Sequence, residues 1–338
     1  MRFIVYGAGA VGGYLGALLA AAGQDVTLVG RGAHREAMST RGFKIDDRAG
    51  DGPKCIRVNA ILPGDENPPY DVVFVTLKAH QIEASAEHIA RLRAKDGCYV
   101  FLQNGLPWWY FDRIDSAHTG ARLKSLDPNG NLARVFPSET LIGGVIYKPF
   151  DLYEPGAVRV QAMPSDRIVI GEVDNSHSAR LDAIAKVVGP AGWKTEVSTD
   201  IRTAKWSKLV SNAVWNPLCA ITQASANDIA SYPPSRDLAI AVMNEAIAVA
   251  KAGGAKVNVD AAKTVADVAG RRATLSSTLA DVRAGRQLEL GALTWSIIEM
   301  GEITGVATPN LRNLAACAGM LDQYIVNSKA AIRPVPVE

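Results

Sequence analysis

The chain has 338 residues, of which 48% are hydrophobic and 21% charged, with a net charge of +2. That length accommodates two ordinary domains, and the balance is that of a globular protein rather than a disordered or fibrous one. The charge is too small and too dispersed for a nucleic-acid partner, and no apolar run reaches the length needed to span a membrane. Four cysteines, Cys55, Cys98, Cys219 and Cys317, lie far apart without a Cys-x-x-Cys pair. This argues against a zinc site or disulfide framework and for reduced thiols in the cytoplasm.

Arg2 to Tyr6 reads as a short strand, apolar at almost every position, as a strand covered on both faces should be. It runs into Gly7-Ala8-Gly9-Ala10-Val11-Gly12, a G-x-G-x-x-G loop. Val11, Leu15, Leu18, Leu19 and Ala22 then recur at helical spacing up to Gly23, and Asp25 to Val29 makes a second apolar strand. Strand, glycine loop, helix and strand in this order form the context of a dinucleotide-binding fingerprint. Gly7 allows the tight turn, Gly9 admits a pyrophosphate close to the backbone, and Gly12 lets helix and strand approach. The helix start points amide donors at the phosphates. An NAD site wants a carboxylate after the second strand; this chain has Gly30-Arg31, whose guanidinium suits the extra phosphate of NADP(H). His34 and Arg35 add to the positive field. Met1-Arg2, the apolar run and Ala20-Ala21-Ala22 superficially match a secretory leader, but the glycines interrupt its would-be core.

A helix is expected from near Ala33, then short strands at 42–46 and 54–58 around a Gly/Asp/Pro-rich turn, and a loop at 63–69. Asp71 to Thr76 is a buried strand with Lys78 just beyond its carboxyl end, where open α/β sheets hold ligands. A helix over 80–94 precedes the strand at 99–102, which ends in Gln103-Asn104-Gly105 and places Asn104 on the same rim. The cluster Trp108-Trp109-Tyr110-Phe111 cannot all face one core, so part of it is expected to wall a pocket. Residues 115–137 are polar and turn-rich and read as a surface excursion. Strands resume at 141–147, 157–161 and 167–170, followed by a helix at 181–188 and a last strand at 194–197.

From Asp200 the texture becomes helical, at 203–220, 238–252, 261–268, 290–304 and 309–325. The expected organisation is therefore an N-terminal Rossmann-type doubly wound α/β domain over 1–198 and an all-α domain over 199–338. In the first of these helices Lys208, Asn212 and Asn216 stand at i, i+4 and i+8 on one face. Three polar groups stacked on an otherwise apolar helix are costly in a core and sensible in a polar cleft. Asn216 precedes Pro217, where a kink or local reorganisation is expected. Lys205, three residues before Lys208, competes for the functional role. Farther on, Ser277 reads as the cap of a helix and Glu289 as the acidic start of the next.

Taken together these motifs resemble the ketopantoate reductase (2-dehydropantoate 2-reductase) family over nearly the whole chain. The glycine loop with Arg31 is similar to its NADP loop, and Thr76-Leu77-Lys78 and Gln103-Asn104-Gly105 are similar to its sheet-end motifs. Lys208-Leu209 with Asn212, Asn216 and Pro217 resembles its catalytic helix. Ser277, Leu279, Asp281 and Glu289-Leu290 resemble its second substrate motif, with Thr278 where methionine is common. The resemblance implies NADPH-dependent reduction of a small 2-oxo acid, with Lys208 and Glu289 catalytic and no metal. Asn104, Asn212, Asn216 and Ser277 are then substrate ligands. Gly7, Ala8, Gly9, Ala10, Val11, Gly12, Arg31, Lys78 and Asn104 line the cofactor. Related readings are a reductase for another 2-oxo or 3-hydroxy acid, or a non-catalytic dinucleotide sensor. The helical half offers enough apolar face for a homodimer.

Overall fold

The computed structural model describes residues 1–48, 50, 52–270 and 275–335, in two compact units. The first comprises residues 1–103, 111–115 and 130–204, and the second 104–110, 116–129 and 205–338. The second unit thus includes two stretches of the N-terminal half besides the helical half. Residues 49 and 51, in the turn expected to be rich in Gly, Asp and Pro, lie outside the described residues.

The first unit contains strands β1 (Arg2–Tyr6), β2 (Asp25–Val29), β3 (Phe43–Asp47), β4 (Lys54–Ile56), β5 (Asn59–Ile61) and β6 (Tyr70–Val75). These are followed by β7 (Arg93–Phe101), β8 (Leu141–Tyr147), β9 (Asp151–Glu154), β10 (Ala157–Val160), β11 (Arg167–Glu172) and β12 (Thr195–Val197). Eight of them form one sheet in the order β12-β11-β8-β7-β6-β1-β2-β5, and the rest form a small sheet, β4-β3-β10-β9. In the large sheet only the β8–β11 pair is antiparallel. Strand order reverses at β1, which has β2 on one side and β6 on the other. Such a reversal is where doubly wound sheets bind ligands, beyond the strands' carboxyl ends.

The register aligns Tyr6 with Val75, so the glycine loop and Thr76 emerge side by side. Phe3, Ile4, Val5, Val73, Phe74 and Val75 are all fully buried, which explains why these strands read as unbroken apolar runs. Helix α1 (Ala10–Ala21) carries Leu15 and Leu19 into the same core as Phe3, Leu28 and Phe74. Helix α2 (Gly32–Arg41) follows β2. The helix expected over 80–94 is instead broken into α3 (Ala79–Ile82), a 3₁₀ turn (Glu83–Ser85) and α4 (Ala86–Ala90). The helical stretch also ends early, at Ala90, because β7 is paired with β6 from Arg93 onward. Short helix α5 (Asn131–Val135) and helix α6 (Ala179–Val188) complete the unit.

The regular secondary structure of the second unit's described residues is all helical, while residues 104–110 and 116–129 are turns and loops. It contains the body of α7 (Ile201–Thr222), then α8 (Ala226–Ser231), α9 (Pro233–Ala252), α10 (Ala261–Ala269) and α11 (Ser277–Arg283). A π turn (Gly291–Trp295) leads directly into α12 (Ser296–Thr304), and α13 (Pro309–Ser328) ends the unit. Helix α9 packs against α8, α10, α12 and α13 and buries Val242, Met243, Ala246 and Val249. Helix α7 continues through Pro217 to Thr222, so the expected local reorganisation does not end it.

Two further expectations change. The cap of α11 is Ser276, whose side chain accepts from Leu279 N at 3.2 Å; Ser277 is the first helical residue. All four aromatics of the 108–111 cluster are buried, none left to line an open pocket. They divide between two cores, with Trp108, Trp109 and Tyr110 in the second unit and Phe111 in the first. The Tyr110 hydroxyl accepts from Trp206 Nε1 at 2.9 Å and donates to Gly253 O at 3.1 Å. Residues 116–129 lie largely at the surface, as expected, and are anchored by Glu299 of α12, which accepts from the backbone of Lys124 at 2.6 Å and of Ser125 at 2.9 Å.

Candidate active site

The dinucleotide cradle lies wholly in the first unit. Gly7 takes a φ of +109°, open to glycine and strained for other residues. Its N–H and that of Ala8 both donate to Val29 O, at 3.1 and 2.9 Å, tying the loop to the end of β2. A Cβ at Gly12 would stand 2.4 Å from both Gly7 O and Thr76 Oγ1, so only glycine lets α1 start this close to the strands. At Gly9 a Cβ would meet nothing within 4 Å. The missing side chain there leaves open space above the backbone, which is what a pyrophosphate needs. Gly9 is the N-cap of α1 and provides no side-chain cap; Ala10 and Val11 form the first turn, where amide donors favour an anion. The cradle therefore fits a dinucleotide.

Thr76 stands in the sequence only as one member of Thr76-Leu77-Lys78, yet it organises this loop. Its hydroxyl donates to Gly7 O at 2.7 Å and lies 3.2 Å from Tyr6 O. In the sequence it is marked only by its place at the end of a buried strand and by the sheet-end motif it opens. Lys78 is half-buried at the N-cap of α3. Arg31 is exposed at the N-cap of α2, directly after β2. His34 is committed elsewhere, its Nδ1 accepting from Gly156 N at 3.2 Å, whereas Arg35 keeps a buried Nε without a hydrogen-bond partner.

The second cluster lies wholly in the second unit. Lys208 Nζ donates to Asn104 Oδ1 at 2.7 Å, joining α7 to the turn after β7. Burial lowers the Lys208 pKa to about 8 against the opposing pull of the Glu289 carboxylate, which favours the charged ammonium. Glu289 itself is only 8% exposed, two residues before the π turn. Its loop is held from two sides: Arg286 Nε donates to Asp281 Oδ1 at 2.9 Å, and Leu288 N to Asp322 Oδ1 at 2.7 Å. Asp281 of the second substrate motif thus shapes the approach to Glu289.

Asn212 is half-buried on α7. One turn on, Asn216 is 5% exposed, with a buried Nδ2 that has no hydrogen-bond partner. Such a donor is costly unless a ligand supplies the acceptor. Ser277 stands exposed in the first turn of α11. Lys205 takes a different place, 3% exposed with its ammonium 6.0 Å from the centre of the Trp109 ring. Burial, and then the neighbouring Lys208 charge, lowers its pKa to about 7. Among the described residues no group of His, Cys, Asp and Glu side chains could hold a metal ion.

A glycine-loop Rossmann-type unit followed by a helical unit with a half-buried lysine and amide and a buried carboxylate defines a dinucleotide-binding oxidoreductase. Residues 3–175 match the family described as ketopantoate reductase PanE/ApbA, and residues 200–322 match its C-terminal domain. The chain belongs to the ketopantoate reductase family. It is 32% identical to the 2-dehydropantoate 2-reductase of Mesorhizobium japonicum, over 92% of this chain and 94% of that protein. A Ralstonia solanacearum crystal structure, provisionally described as a ketopantoate reductase, superposes with a TM-score of 0.88 at 33% identity, covering 95% of this chain and 98% of that one. D-mandelate dehydrogenase with NADH and anilino(oxo)acetate shares the fold at 19% identity, with a TM-score of 0.80 over 96% of this chain and all of that one (100%). Among the described residues no helix is long and apolar enough to cross a membrane.

Proposed function

We propose that this protein reduces 2-dehydropantoate to pantoate with NADPH, a step of pantothenate biosynthesis, using Lys208 as general acid. The observation that carries the reading is the 2.7 Å Lys208–Asn104 hydrogen bond in the field of buried Glu289. It is supported by the full-length likeness to the M. japonicum 2-dehydropantoate 2-reductase. Gly7, Ala8, Gly9, Ala10, Val11 and Gly12 hold the dinucleotide, Arg31 its 2′-phosphate, and Lys78 and Asn104 its nicotinamide end. When bound, the reduced nicotinamide supplies the hydride.

The chain's own contribution is charge and orientation. Negative charge develops on the substrate's carbonyl oxygen, and the Lys208 ammonium stabilises it and passes a proton from Nζ to that oxygen. A pKa of about 8 suits this proton transfer, because the group is mostly protonated at neutral pH and still a competent acid. Asn104 fixes the direction of Nζ, and Glu289 keeps the ammonium charged. Asn212 and Asn216 bind the substrate's hydroxyl or carboxylate, with the orphaned Nδ2 of Asn216 as one donor. Ser277 is assigned to the carboxylate by the family resemblance. A role in the cytoplasm and a homodimer joined through the helical unit belong to the same reading.

The test is a panel of 2-oxo acids followed by loss of reduced-nicotinamide absorbance, with NADPH and NADH in parallel. Fastest turnover with ketopantoate and NADPH is the expected result. Preference for another 2-oxo acid moves the assignment to a related reductase, and binding without turnover to a dinucleotide sensor.

A further inference from the structure

Gly105 sits between the turn that carries Asn104 and the helix that follows Glu289. Its φ is +82°, and an added Cβ would lie 2.1 Å from Ala292 O, 2.6 Å from its carbonyl carbon and 2.7 Å from its Cβ. The next amide, Leu106 N, donates to that same Ala292 O at 3.1 Å. Ala292 belongs to the π turn Gly291–Trp295, where Ser296 N reaches back five residues to Gly291 O. Ser296 Oγ also donates to Ala292 O, at 3.0 Å, and is fully buried. π turns are rare interruptions of helices and recur at functional sites. This one begins two residues after Glu289, so one short backbone segment carries the carboxylate and receives the turn that carries the amide.

We propose that the contact between Gly105 and the Ala292 carbonyl is a positioning latch for the active-site lysine. It fixes Asn104 and Glu289 in a common frame around Lys208, and Gly105 acts through Asn104 rather than on substrate or cofactor. Neither half of it shows in the sequence: Asn104-Gly105 has the form of an ordinary turn, and residues 290–304 have the periodicity of one unbroken helix. The chemistry of the latch is steric. Any side chain at 105 must push the turn away from Ala292, because the obstructing atom is backbone and cannot rotate aside.

The proposal rests on Lys208 being the acid, so its test uses one readout that needs turnover and one that does not. The first is a cycle of Gly105→Ala, Asn104→Ala and the double variant, comparing kcat at saturating ketopantoate and NADPH. Displacing a catalytic group by about 1 Å costs on the order of 100-fold in rate, and that loss is expected for Gly105→Ala. The double variant should be no slower than Asn104→Ala alone, since the glycine has nothing left to position. Losses that multiply in the double variant would overturn the latch. The second readout is titration of the Lys208 ammonium by NMR of isotope-labelled lysine in the same four proteins. Losing the Asn104 acceptor disfavours the ammonium, so Gly105→Ala and Asn104→Ala should both lower its pKa below the wild-type value. An unchanged titration in a folded Gly105→Ala protein would also overturn it. If wild-type protein fails to reduce ketopantoate while the titrations behave as described, the substrate reading fails and the latch stands. Should Gly105→Ala not fold, amide exchange in the unmodified protein decides: Leu106 N–H should be as protected as α12, and exchange at the rate of a fraying turn refutes the latch.

Discussion

Replacing Thr76 by valine isolates the part of the cofactor cradle that the glycine pattern does not contain. The hydroxyl donates to Gly7 O at 2.7 Å, and valine puts a methyl group in its place. A carbon approaches a carbonyl oxygen no closer than about 3.3 Å, so the methyl intrudes by roughly 0.6 Å. The lost hydrogen bond costs about 1 kcal/mol, and the intrusion about 1–3 kcal/mol. Gly7 O keeps its bond from Gly9 N at 2.7 Å, so it is not left unpaired. The strain falls on the loop at Gly7 and on Gly12, whose space is already limited by Thr76 Oγ1. The expected outcome is an NADPH dissociation constant raised about 10-fold or more, equivalent to at least ~1.4 kcal/mol, with a lowered melting temperature. Thr76→Ser keeps the hydroxyl and should bind nearly as wild type. Fluorescence titration with NADPH, alongside a thermal melt, reads both effects. A folded Thr76→Val protein with wild-type affinity would refute the assignment of Thr76 as the clamp of the glycine loop.

With Lys208 as the proposed acid and burial lowering its pKa to about 8, kcat should be high below that pH and decline as pH rises through it. Glu289→Gln removes the charge that raises this pKa, so a pH–rate profile should show the limb moving to lower pH; movement upward contradicts the pairing. Arg31→Ala should erode the proposed preference for NADPH over NADH by weakening NADPH alone, measured as the ratio of kcat/KM for the two cofactors. Lys205 is a buried ammonium whose folded pKa, about 7, lies below its unfolded value. Its burden on stability is full below pH 7 and is relieved as pH rises toward the unfolded value, by at most ~1.4 kcal/mol per pH unit. Lys205→Met should therefore raise the melting temperature more at pH 6 than at pH 9, and a shift independent of pH argues against a charged lysine there.

The opening strand, glycine loop, helix and second strand could be read directly because they are local: apolar continuity, turn glycines and a helix terminator lie within thirty residues of one another. The same holds for the face of Lys208, Asn212 and Asn216, which helical spacing alone brings together. What could not be read depends on distant partners. β5 and β9 have three and four residues, too few to show a pattern, and exist because β2 and β10 pair with them. The helical stretch expected over 80–94 stops at Ala90, because from Arg93 the chain pairs with β6 instead. The aromatics at 108–111 could all be buried because the chain passes from one core to another between Tyr110 and Phe111. Thr76, Asp281 and Gly105 are small or ordinary residues whose importance lies in what they touch, Gly7, Arg286 and Ala292 among their neighbours. No composition or period marks such contacts.

Lys208 as the acid of a ketoacid reductase is tested most directly by the steady-state rate of Lys208→Ala with ketopantoate at saturating NADPH. A fall of kcat by orders of magnitude with NADPH affinity retained is the predicted result. Near-normal turnover in that variant would contradict it.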